Sequence, residues 1–205
     1  MKRIPFFTIV MFALALSGCA MGGPKFVDLH YTGKSEISRS GTIGISMFSD
    51  RRPGTDAGYV GTRYINRSKK EIFYAYGGDV AASVTDICSA YLRDAGFDCI
   101  SVEPWDHSPE GAKHSGRGFD YLVGGEIKKL DCFAAKKVGF TSLILDVDLV
   151  IYIGMPGTSQ LKTVPVKLNL ERNEITFSKE KLQKFMNESL LEVIRNALAS
   201  TGSGA

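Results

Sequence analysis

The chain has 205 residues, with 25 Lys and Arg against 22 Asp and Glu, for a formal net charge of +3. A balance this close to neutral sets up no strong field for nucleic acid or anionic lipid. The length suits one domain with room for an insertion, and neither an internal repeat nor a second long apolar segment follows the first.

Lys2 and Arg3 form a positive n-region, and Ile4 to Leu16 are almost all apolar, broken only by Pro5 and Thr8. The run falls short of the ~20 apolar residues that a membrane-spanning helix needs, and fits the h-region of a secretory signal peptide. Ser17 and Gly18 are the small residues a signal peptidase requires, and Cys19 brings a thiol. Leu16-Ser17-Gly18-Cys19 resembles the lipobox of bacterial lipoproteins. That resemblance implies that residues 1–18 are a signal peptide, cleaved between Gly18 and Cys19. It makes Cys19 the lipid-attachment site, bearing a diacylglycerol thioether and an amide-linked acyl chain such as palmitate, with residues 19–24 as a lipidated tether. Ala20, rather than Asp, follows the cysteine, which in such proteins implies delivery to the outer membrane, facing the periplasm. The competing reading is a soluble secreted protein whose signal ends near a cysteine by chance. Cleavage would take 18 of the 205 residues to leave 187 and, with Lys2 and Arg3 gone, lower the net charge from +3 to +1.

The folded part is expected over residues 25–200. Residues 25–31 alternate weakly, as an edge strand would. In residues 41–48, Ile43, Ile45 and Met47 face one way and Thr42, Gly44 and Ser46 the other, the pattern of a half-buried strand. Pro53 and Gly54 end it. Residues 57–77 read as an aromatic hairpin around a basic turn. Residues 79–96 form a helix, with Asp79 as N-cap, Gly96 at the C-terminal cap, and Val80, Val84, Ile87, Cys88 and Tyr91 at helical spacing. A short strand over "FDCISVE" follows, and strand, helix and strand in this order suggest a parallel crossover. Residues 104–118 read as a polar loop.

Three strands, expected antiparallel, come next. Phe119, Tyr121, Val123 and Ile127 share a face of the first; Leu143, Leu145, Val147, Leu149, Ile151 and Ile153 share one of the second; Val164, Val166, Leu168 and Leu170 share one of the third. An amphipathic helix closes the domain, with Ser178 as N-cap and Leu182, Phe185, Met186, Val193 and Ala197 as its apolar stripe. Residues 201–205 read as a frayed tail. The expected class is α+β: a two-layer sandwich of a mixed, mostly antiparallel sheet with two helices on one face and the other face wet.

Chemistry is sparse. His107 and His114 share a loop with Asp106 and Glu110, but their spacing matches no helix face and no short-turn ligand motif, so a solvated loop is expected and no metal or cofactor is assigned. His30 reads as structural. Asp120, Glu126, Asp146 and Asp148 point to the wet face, where Lys162 or Lys167 could pair with them. Acid–base work would need a cleft that shifts their pKa values. Neither a nucleophile elbow nor a phosphate-binding or dinucleotide glycine loop occurs.

With Cys19 lipidated, Cys88, Cys99 and Cys132 remain, and an oxidising periplasm allows at most one internal disulfide. Cys88 falls on the buried stripe of its helix. Cys99 opens one strand and Cys132 ends the next, which is expected to run the other way. If the two strands are neighbours a Cys99–Cys132 disulfide can form, closing a loop of about 33 residues worth roughly 3–4 kcal/mol; if one strand intervenes, the backbones are about 10 Å apart and it cannot. The hairpin is the most suggestive surface. Tyr59, Arg63, Tyr64, Arg67, Tyr74 and Tyr76 are candidate partner-binding residues, since Tyr and Arg are enriched in interface hot spots. The alternative is that its rings fold back on their own sheet.

"GTIGISMFSDRRP", a helix ending "LRDAGFDC", and "FDYLVGGEIKKL" together resemble the YajG-like lipoproteins. More distantly they are similar to the auxiliary lipoproteins of envelope ABC transport systems and to the sandwich domains of LpoB, CsgG and the TolB N-terminal region. The resemblance spans roughly residues 40–200 and rests on Asp50-Arg51-Arg52 after the first core strand and on Asp120-Tyr121 with Gly125-Glu126. It implies a non-enzymatic role: a membrane-anchored protein that binds or supports an envelope assembly or transport partner, while the near-neutral charge argues for no nucleic-acid partner. The alternatives are a carrier or sensor of a lipid or glycan and, further off, a metal-dependent hydrolase using the His107 loop.

Overall fold

The computed structural model describes residues 24–35 and 38–199. These form strands β1 (Lys25–Val27), β2 (Thr42–Ser46), β3 (Ser49–Asp50), β4 (Tyr59–Tyr64), β5 (Lys70–Ala75), β6 (Asp98–Val102), β7 (Tyr121–Lys136), β8 (Thr141–Met155) and β9 (Gln160–Glu174). Helices α1 (Val80–Asp94), α2 (Pro109–Ser115) and α3 (Lys179–Ala199) complete the described chain.

β7 organises the single mixed sheet. One edge of β7 pairs along its length with antiparallel β8, which pairs in turn with antiparallel β9. Its other edge is shared end to end by three short parallel strands: β2 opposite Tyr121–Val123, β3 opposite Glu126 and Ile127, and β4 opposite Cys132–Ala135. Outside β2 lies parallel β6; outside β4 lie antiparallel β5 and then β1, which is parallel to β5.

The local rules act as expected at both long helices. Asp79 accepts a hydrogen bond from the Ala82 amide and caps α1. Gly96 follows it at φ +99°, with a Cβ there 2.3 Å from the Arg39 carbonyl oxygen, so only glycine fits. Ser178 Oγ accepts from the Lys181 amide at the start of α3. The apolar stripes of α1 and α3 and the alternating residues of β7 and β8 form one core, in which Leu143, Leu145, Leu149 and Ile151 are fully buried. Burial of each such side chain contributes about 1.5–3 kcal/mol.

Asp50-Arg51-Arg52 has a structural purpose. The Arg52 side chain is 3% exposed and grips Asp50 through Nε (2.9 Å) and Nη2 (2.7 Å). Nη1 donates to the carbonyls of Tyr59 (2.5 Å) and Leu130 (3.3 Å), and Nη2 to that of Ala57 (3.2 Å). One guanidinium thus ties together β3, the approach to β4, and β7. Burial raises the Asp50 pKa, but hydrogen bonds from Arg52 outweigh it and hold the carboxyl below its usual value.

Three expectations change. β6 and β7 both run parallel to β2, and so to each other, rather than antiparallel. The segment 104–118 is not a plain loop: it buries Trp105 and forms α2, capped by Ser108. The α+β class holds, but two helices on one face with a wet opposite face does not describe the molecule, because α2 lies on the opposite face. There Ala112, Trp105 and Leu122 make a second, smaller core.

Candidate functional site

The aromatic hairpin is built as expected from β4 and β5, and it sends its rings both ways. Phe73 is buried in the main core. Tyr59 is half-buried, its hydroxyl donating to Asp131 Oδ1 at 2.8 Å; burial and that carboxylate raise its pKa to about 12. Arg63 pairs with Glu71 at 3.1 Å and lies 3.9 Å above the Phe177 ring. Tyr64 packs on Phe133, and Tyr74 beside Phe26. Tyr64, Arg67 and Tyr76 are exposed, Tyr76 at 73%. Of the six residues singled out, Tyr59 and Arg63 therefore serve the sheet, and the open surface is Phe26, Tyr74 and Tyr76 on one side and Tyr64 with Phe133 on the other.

The outer face over β7 and β8 carries a cluster that sequence reasoning missed. Gly124 and Gly154 vacate that face: a methyl at Gly154 would lie 2.6 Å from Ala112 Cβ and 3.3 Å from the Trp105 ring. A methyl at Gly124 would lie 2.5 Å from Ser46 Oγ, 3.0 Å from His107 Nε2 and 3.3 Å from Trp105 Nε1. Glycine inside a strand marks such a close approach, so Gly124-Gly125 was the available signal. His107, at φ +54°, stacks on Tyr152 (4.2 Å between centroids) and meets Trp105 edge-on (4.9 Å). Trp105 Nε1 is buried without an acceptor among the described residues. Burial raises the Tyr152 pKa and Glu126 adds to it. Burial lowers the His107 pKa below the usual imidazole value, with Arg51 pushing the same way and Glu126 and Asp106 opposing.

His107 has aromatic neighbours, whereas His114 sits exposed in the last turn of α2; no group of three or more His, Cys, Asp or Glu is placed to hold a metal among the described residues. Trp105 is the sole tryptophan of the chain and reports on His107. Its emission is expected to fall as pH drops, because an imidazolium at ring contact quenches indole. The midpoint is expected below the ordinary His value of about 6.5, and the transition should vanish in His107→Gln. A depressed pKa means that the unfolded chain binds the proton more readily, so the His107 contribution is full above the unfolded value of about 6.5 and is lost as pH falls from there toward the folded value. A midpoint at or above 6.5, or one unchanged by the substitution, contradicts the packing.

The wet-face carboxylates are engaged in structure. Asp146 takes Lys129 Nζ and Asn169 Nδ2, each at 2.6 Å, and Asp148 pairs with Lys167 at 2.9 Å, as the cross-strand spacing suggested. Asp120 accepts from the Thr42 amide at 2.7 Å and fixes the start of β2. At exposed His30, buried Asn187 of α3 accepts from the backbone amide and donates to the Asp28 carbonyl, clasping residues 28–30 through their main chain.

The Cys99–Cys132 disulfide is not formed. Cys88, Cys99 and Cys132 are all free and buried. β6 registers Cys99 with Ile43, and Ile43 registers with Tyr121, eleven residues before Cys132 on β7. At about 3.3 Å per residue that is about 36 Å, with β2 between. Between the sheet and the two long helices lies an apolar cavity of about 60 Å³, lined by Ile43, Tyr91, Phe97, Tyr121, Val123 and Ile153, with Arg39 also on its wall. The Tyr91 hydroxyl there is buried and has no partner among the described residues.

Gly18, Cys19 and the rest of the expected signal peptide and tether up to residue 23 lie outside the described residues, as does the tail from 200. No helix among the described residues is long and apolar enough to cross a membrane. No family model matches the chain. No curated protein matches it. The fold is similar to that of protein XCC0632 from Xanthomonas campestris, described with family DUF330, at TM-score 0.54 and 8% identity over 86% of this chain and 94% of that one. It is similar also to an uncharacterised protein, at TM-score 0.51 and 9% identity over 88% and 100%. The hypothetical protein CT253 from Chlamydia trachomatis matches at TM-score 0.48 and 12% identity over 80% and 96%. At these identities the likeness is one of fold alone.

Proposed function

We propose that the chain is a lipid-anchored, periplasm-facing lipoprotein of the outer membrane, akin to the YajG-like lipoproteins, that binds or supports an envelope assembly or transport partner and is not an enzyme. One observation carries this reading: a lipobox-like Leu16–Cys19 stands a few residues ahead of a domain whose β1–β5 edge leaves Phe26 and Tyr76 in solvent. Exposed aromatics beside a sheet edge suit a protein partner, because they bury large area at low cost in side-chain entropy. A photo-crosslinking residue at Tyr76, in cells that make the protein, is expected to yield one discrete envelope-protein adduct. The same residue at exposed Lys113 on α2 should not, and Phe26→Ala should weaken the adduct. No adduct above the Lys113 control would remove the partner reading.

The apolar cavity favours a second reading, a carrier or sensor of a lipid or glycan. Its volume suits a few waters or the end of a short acyl chain, and the unpaired Tyr91 hydroxyl offers a donor. A ligand retained through purification and seen by native mass spectrometry would support it.

A further inference from the structure

The end of the sheet where β7 turns into β8 is apolar at its outermost point. The turn is closed by the Lys137 amide on the Phe140 carbonyl at 2.8 Å, and it presents Val138 at 99% exposure. Ile175, 84% exposed, follows the end of β9, which registers beside Thr141, and Phe140 is exposed between them. Around them Lys136, Lys137, Lys69 and Lys70 are exposed, and none has a carboxylate within ion-pair distance among the described residues. The acids beside them are already engaged: Glu174 with Lys181 at 3.0 Å, and Glu71, next to Lys70, with Lys25 at 2.6 Å and Arg63 at 3.1 Å. The near-neutral charge of the whole chain hides this local excess, which the fold assembles from two separate hairpins.

The described chain begins at this same end. β1 runs antiparallel to β7, with Lys25 registered on Phe73, and Phe73 on Gly61, which lies opposite Cys132. Chain arriving at Lys25 therefore comes from the side of the β7–β8 turn. From Cys19 to Pro24 five residues reach at most ~17 Å. The strand ends at Lys136, four residues past Cys132, so the turn stands ~13 Å beyond the level of Lys25.

We infer that the β7–β8 turn, with Ile175, is a membrane-contact surface that rests on phospholipid. Val138, Phe140 and Ile175 enter the interface, and the four lysines meet anionic headgroups. The inference rests on the lipid anchor at Cys19 proposed above: the tether is too short to hold the turn far from the bilayer, and an apolar tip ringed by lysine is the composition that binds such a surface.

The test uses the lipidated mature protein in vesicles of phosphatidylethanolamine and phosphatidylglycerol. Val138→Cys and, at the far end in the β8–β9 turn, Gly157→Cys each receive an environment-sensitive fluorophore. The three native thiols are buried, and desolvation raises their pKa values, so they label poorly. Both positions are open to solvent, which keeps the fold intact. The label at 138 is expected to shift to the blue and be quenched by brominated lipid at least about twofold more than at 157, because interfacial side chains sit about 5–10 Å deep. Equal, weak quenching at both sites in vesicle-bound protein overturns this inference and leaves the anchor standing. Protein that fails to stay with the vesicles overturns both.

Discussion

Arg52→Ala is expected to cost about 3–5 kcal/mol of folding stability, the range for removing one partner of a buried ion pair. The substitution strips Asp50 of its cation and removes the Arg52 hydrogen bonds from the carbonyls of Tyr59 and of buried Leu130, while the Ala57 carbonyl keeps the Val80 amide as a donor. Urea unfolding should show it as a midpoint lower by roughly 1–5 M, given slopes of about 1–3 kcal/mol/M for domains of this kind. Arg52→Lys should recover less than half, since an ammonium cannot reproduce the fork that spans Asp50 and three carbonyls. Acid adds a second signature. The folded Asp50 pKa is depressed, so the pair stabilises fully above the unfolded value of about 3.9 and loses its contribution as pH falls through the folded one. The parent should therefore lose stability more steeply than Arg52→Ala below about pH 4. Equal stability of parent and variant at neutral pH would mean that the Arg52 contacts are not formed in solution.

Cys19→Ser is expected to move the protein from the membrane fraction to the aqueous one. A serine cannot form the thioether, and the variant loses the acyl chains, each of which contributes about 0.8 kcal/mol per buried methylene. A single acyl chain binds reversibly, so the effect depends on removing all of them, and unprocessed precursor must be separated from mature chain by size. Metabolic labelling with an acyl-chain probe reads the same event directly. An aqueous share that is equal in parent and variant, with labelling retained, would remove the anchor and everything proposed from it.

The elements whose periodicity is local were readable from sequence. Asp79, Gly96 and Ser178 announce helix ends because the capping chemistry lies within three residues of each. The inward leucines of β8 were readable because a fifteen-residue strand gives alternation room to declare itself. Strand direction across the sheet was not readable, and the Cys99–Cys132 reading failed on it: nothing near either cysteine says that β6 lies outside β2. The irregularity between Ile127 and Lys129 was visible in hindsight, since inward Ile127 and inward Leu130 stand three apart where alternation demands two or four. Trp105 and α2 were lost to composition. "PWDHSPEGAKHSGRG" is polar enough to read as solvent, yet Ser108 followed by Pro109 is a helix start, and the glycines that seat Trp105 lie on two other strands. Of the candidate surface, exposed Tyr76 was legible from its residue type, while the loss of Tyr59 and Arg63 to Asp131, Glu71 and Phe177 depended on partners far along the chain.

β9 pairs only with β8 among the described residues, so fifteen residues of backbone form a border of the sheet. A border of that length is a template on which a second chain could extend the ladder. Pro165, near its middle, has no amide to offer an incoming strand, and exposed Lys167 puts a charge beside it. On the anchored form proposed above, neighbouring copies would meet that border side by side, and its proline and lysine would work against their merging into a common sheet.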